Sequence, residues 1–99
     1  MQPNQYLEGQ AAVLRLTVTK NGVATDVIST LMNLLVEDPT GTITTYTYGV
    51  DPIIVRVTTG VYTANIDLTM SGVYKYRWES LSPNTGAIES FLIVSPSIL

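Results

Sequence analysis

The sequence predicts an all-β domain, an antiparallel sandwich of about seven to eight short strands. Thr, Val, Ile and Tyr, which favour pleated and half-buried backbone, are abundant along the whole chain. Apolar residues recur at every second position, and the three- and four-residue spacing of an amphipathic helix is nearly absent. Turn signals return at intervals suited to a sandwich or small barrel. The 99 residues, 45% hydrophobic and 13% charged, make one domain. A chain of this size removes roughly 65% of its unfolded surface from water around a single core.

The first strand is read in "AAVLRLTVTK" (11–20), with Ala12, Leu14, Leu16 and Val18 on one face and Val13, Arg15, Thr17 and Thr19 on the other. Asn21-Gly22 then reverses or bends the chain, because this pair tolerates positive φ at both centres of a tight turn. "LMNLLVEDPTG" (31–41) supplies a second core strand through Met32, Leu34 and Val36. It stops at Asp38-Pro39, where proline has no donor for a ladder. "TITTYTYG" (42–49) has faces that differ little, Thr44, Tyr46 and Tyr48 against Ile43, Thr45 and Thr47. Weak contrast of this kind suits an edge, or a surface that meets a partner.

"IIVRVT" (53–58), "GVYTANIDL" (60–68), "GVYKYRWES" (72–80) and "AIESFLIVS" (87–95) complete the set. Tyr62, Ile66 and Leu68 are assigned to the core. In the last segment "FLIV" is apolar on both faces, so its register stays open: Phe91 with Ile93, or Leu92 with Val94, must face outward. Outward apolar side chains near a sheet edge mark a contact surface. Leu92 and Val94 are therefore candidate interface residues together with Tyr46 and Tyr48. Ile98 and Leu99 join them as an apolar tail after Pro96, able to fold back on the domain or to dock on a neighbour, and "MQPNQY" is read as an N-terminal arm. The domain core is placed at about 7–96.

In "SGVYKYRWES" (71–80) Tyr74, Tyr76 and Trp78 alternate with Lys75, Arg77 and Glu79. Three rings on an exposed face would make a stacking platform for sugars or bases. The charged residues of the other face are costly to bury unpaired, so that face is the wet one and the rings are core. The stretch resembles the corner of an immunoglobulin-like sandwich, where a Tyr near the start of a strand bonds through its hydroxyl to upstream backbone. Tyr74 takes the corner, and Tyr76 takes the place that antibody domains give to a cysteine. This chain has no Cys and no Trp in the 31–41 stretch, so apolar bulk must fill the inter-sheet centre.

Chemistry is harder to find. The absence of His and Cys removes the usual general base, thiolate metal sites and any disulfide. Five cations against eight carboxylates leave a net charge of −3, the wrong balance for phosphate neutralisation. A nucleophilic Ser or Thr would need Lys20 or Lys75 as base, and neither sits in a recognisable setting. Glu37 with Asp38, or Glu79 with Glu89, could act as carboxylate pairs, and "DPTG" (38–41) or Asp51 could offer oxygens to calcium. Adjacent strand residues face opposite ways and Asp-Pro starts turns, so no catalytic, metal or cofactor residue is assigned. No segment reads as a signal peptide or membrane span. Met1 and the turn-bounded strands lead us to expect a whole, soluble protein rather than a fragment.

"VEDPTGTITTYTYG", "TTGVYTANIDL" and "SGVYKYRWES", in that order and closed by "FLIVSPS", resemble the small immunoglobulin-like virion structural proteins of tailed bacteriophages, over roughly residues 7–96. The resemblance implies a non-enzymatic part in many copies, docked on the capsid as cement or decoration, or on the head–tail connector. It implies virion location and, as partners, other virion proteins and copies of the chain itself, without nucleic acid, membrane or small-molecule ligand. It carries no catalytic residue, and the "SLSPNTG" loop and the apolar tail depart from the pattern. An adhesion or carbohydrate-binding module, with Tyr46, Tyr48 and Trp78 on a sugar, is the alternative.

Overall fold

The computed structural model describes residues 5–81 and 86–96. Among them are ten strands: β1 (Gln5–Leu7), β2 (Ala11–Thr17), β3 (Thr19–Lys20), β4 (Val23–Ala24), β5 (Met32–Glu37), β6 (Ile43–Thr47), β7 (Ile54–Thr58), β8 (Val61–Asp67), β9 (Gly72–Ser80) and β10 (Gly86–Ser95). The all-β class is therefore as expected, and seven of the strands fall on the segments that alternation marked out. Three additions raise the number above seven or eight. Asn21 and Gly22 both adopt positive φ, 54° and 79°, and fold what read as the end of one strand into the small β3–β4 hairpin. β1, read as part of a free arm, pairs with β10 instead.

One sheet has the order β1-β10-β9-β5-β6 and the other β2-β8-β7. All pairs are antiparallel except β1 with β10, where Gln5 lies opposite Ile93 and Leu7 opposite Ser95. The purely antiparallel expectation is corrected at this one pair. β2, β7 and β8 in one layer against β5, β9 and β10 in the other, with β6 added beside β5, is the immunoglobulin-like strand order. β6 lies at a sheet edge, as its weak facial contrast suggested.

Alternation decides what is sealed. On β2, Ala12, Leu14 and Leu16 are buried, and Met32, Leu34 and Val36 do the same on β5. Tyr62, Ala64, Ile66 and Leu68 come in from the β8 side, and Tyr74 and Trp78 from β9. Val18 and Tyr76, both assigned to the core, are half-buried and pack against it. Each large apolar side chain taken out of water is worth roughly 1.5–3 kcal/mol. A few of them match the ~2–4 kcal/mol of the absent disulfide.

The corner geometry is present. The Met70 N–H donates to the Tyr74 hydroxyl at 3.1 Å. This holds the loop from β8 to β9 against the core and satisfies the phenol. At the head of β9, Gly72 has φ 126°, and a Cβ there would lie 2.8 Å from Pro39. Only glycine lets β9 begin so close to the turn after β5.

Candidate interaction surface

The two layers are unequal, and the inequality creates the surface features. Five strands overhang three, so part of the larger sheet's inner face has no cover. Ile88 lies opposite Trp78 and Ser90 opposite Tyr76, which turns both inward, yet both are exposed. Beside them a crevice of about 260 Å³ runs between Leu16–Thr19 and Gly86–Ile88, with Trp78 at its base. Trp78 itself is 1% exposed, and its Nε1 has no hydrogen-bond partner among the described residues. A ring so placed cannot stack on a sugar, which removes the central aromatic of the carbohydrate-binding alternative.

Pairing also settles the last hairpin. Leu92 lies opposite Tyr74 and Val94 opposite Gly72. Residues directly opposite in a sheet share a face, so the inward Tyr74 takes Leu92 with it. Leu92 (4% exposed) and Val94 (3%) are core residues, and their assignment to an interface is corrected. Tyr46 and Tyr48 are likewise turned inward and half-buried against the core rather than displayed. The Tyr48 ring meets Tyr62 edge-on, centroids 4.9 Å apart. Ile98 and Leu99 lie outside the described residues.

The outward apolar side chains are the other set, Phe91 (46% exposed) and Ile93 on β10, with Val73 (45%) on β9 and Ile43 (58%) on β6. Phe91, Val73 and Ile43, with half-buried Leu35, line a hollow of about 610 Å³ on the outer face of the five-stranded sheet. Charged groups run between them. Arg77 donates from Nε to Glu79 at 3.0 Å and from Nη1 to Glu89 at 3.3 Å, and Lys75 Nζ stands 3.8 Å from Glu37. Glu79 and Glu89, weighed as a carboxylate pair, are thus bridged by a guanidinium, whose own pKa they raise by hydrogen bonding.

Several carboxylates serve the backbone. Asp38 Oδ1 accepts from the Thr40 hydroxyl at 2.6 Å, from Thr40 N at 2.9 Å and from Thr42 N at 3.0 Å. These bonds, the hydroxyl's first, lower its pKa below the ordinary carboxylate value, and the "DPTG" stretch is a closed turn. Asp26 Oδ1 accepts from Arg56 Nε at 3.0 Å and Gly60 N at 2.8 Å, which lowers its pKa in the same way, Arg56 contributing most. Beside it the Val27 N–H donates to the buried Tyr62 hydroxyl at 2.8 Å. Together these bonds tie the 25–27 segment to β7 and β8. Asp51 Oδ2 accepts from Thr47 N at 2.8 Å. Among the described residues no three acidic side chains gather closely enough to hold a metal ion, and no helix is long and apolar enough to cross a membrane.

The outer face thus presents an apolar hollow crossed by paired charges. No protein-family model matches this chain, and no curated protein matches it.

Proposed function

We propose that this protein is a non-enzymatic structural part of a tailed-bacteriophage particle, present in many copies and docked on the capsid as cement or decoration, or on the head–tail connector. The observation that supports this reading best is the outer face of the five-stranded sheet. Phe91, Val73 and Ile43 stand outward there on the five-stranded sheet. An isolated domain gains nothing by exposing them, whereas a particle component covers them against a neighbour. The immunoglobulin-like order and the motif resemblance to small virion proteins point the same way. In an assembly, individually weak contacts add through repetition, so a face of modest area suffices. Its partners are other virion proteins and copies of the chain itself, with no part for nucleic acid, membrane or a small ligand.

The test is the copy number per purified particle, by quantitative mass spectrometry against labelled standards. A count in the hundreds is expected for a shell component. About six or about twelve, the count of one closed ring, is expected for a connector. A count of zero in intact particles contradicts the proposal.

A further inference from the structure

The outer face of the five-stranded sheet complements itself, and we infer that the chain forms a face-to-face dimer through it. The pattern lies in one row. Phe91 of β10 is opposite Lys75 of β9, Lys75 is opposite Glu37 of β5, and Glu37 is opposite Ile43 of β6. Across the strands the row therefore reads apolar, positive, negative, apolar. A two-fold axis parallel to the strands and midway between β9 and β5 reverses this order in the facing copy. Phe91 then lies over the second copy's Ile43, and Lys75 over its Glu37, each contact made twice as an isologous interface requires.

The adjacent row agrees. Glu89, Arg77, Leu35 and Thr45 are successive cross-strand partners. Reversal lays Arg77 over Leu35 and Glu89 over Thr45, so no like charges meet, and the arginine stem covers an apolar side chain. The bond that Lys75 already makes is a loose one. At 3.8 Å from Glu37 and 69% exposed, its ammonium keeps donors free for a second carboxylate. The 610 Å³ hollow between these residues offers room for the facing copy's side chains. A wholly acidic or wholly basic partner would be repelled by one of the row's two charges; a second copy is repelled by neither.

Strand spacing and rise make this face roughly 20 Å square, or about 400 Å² in plan per copy. At about 800 Å² for the pair, the union falls below the range of stable specific interfaces and among weak, transient ones, with a dissociation constant expected in the high micromolar range. The inference goes beyond the proposed role and does not need it: a dimer in solution is expected whether or not the chain is found in particles.

The experiment is sedimentation equilibrium on the full chain, on Lys75→Glu, on Glu37→Lys, and on an equimolar mixture of the two variants. The unmodified chain is expected to dimerise. Each variant opposes like charges twice and is expected to associate on the order of tenfold or more weakly. In the mixture each introduced charge faces its opposite on the other copy, so a one-to-one dimer returns. Loss of folding cannot produce that rescue. An unmodified chain that stays monomeric up to about 1 mM, variants that associate as well as it does, or a mixture that restores nothing would each overturn the inference.

Discussion

The Tyr74 hydroxyl shows how one residue joins local sequence to packing. Its ring is buried, and its oxygen accepts the Met70 N–H at 3.1 Å. Tyr74→Phe keeps the ring and leaves that N–H without its partner, at an expected cost of about 1–2 kcal/mol in urea unfolding. No change in midpoint would show that the corner bond contributes nothing. The position of Tyr74 was legible because a glycine, a tyrosine and a charged alternation follow one another in ten residues. The Tyr62 link to Val27 was not, since 35 residues separate the two groups and nothing near either announces the other. The same holds for Asp26, whose partners Arg56 and Gly60 come from β7 and the turn after it. A carboxylate in a polar stretch has no local mark of the guanidinium that will reach it.

At the level of the element, β10 separates what alternation can decide from what it cannot. β2 and β5 carry contrast between their faces, and their buried sets, Leu14 with Leu16 and Leu34 with Val36, were readable directly. "FLIV" carries none, and a shift of one residue reverses every side chain. The missing information is the register with β9, which depends on how many residues the connecting loop spends in turning. Once Leu92 is opposite Tyr74 the face follows. Leu92→Ala is expected to cost about 2–4 kcal/mol as a core truncation, and Phe91→Ala below about 1 kcal/mol for the monomer. Chemical denaturation of the two variants at low protein concentration compares them, and the reverse order would mean the opposite register. β1 was hidden for a related reason: three residues are too few to show alternation, and only its parallel partner makes it a strand.

At the scale of the molecule, five strands on three seal the centre of the interior and leave the outer face of the larger sheet open. The Tyr74 and Trp78 rings of β9 lie on the sealed side, and Lys75, Arg77 and Glu79 of the same strand lie on the outer face. That division was legible from the cost of burying charge. The composition of the contact face was not, because Val73, Leu35 and Ile43 become neighbours only when three separate strands are set in register. The self-complementary row belongs to this scale alone. The central claim, that the aromatic stripe is structural and the opposite face does the work, can be tested through the single Trp of the chain. Acrylamide quenching of Trp78 fluorescence in the native protein is the measurement. A blue-shifted emission with weak quenching, rising to free-indole behaviour only on unfolding, is expected of a ring 1% exposed. Native emission quenched as readily as in the denatured chain would contradict it.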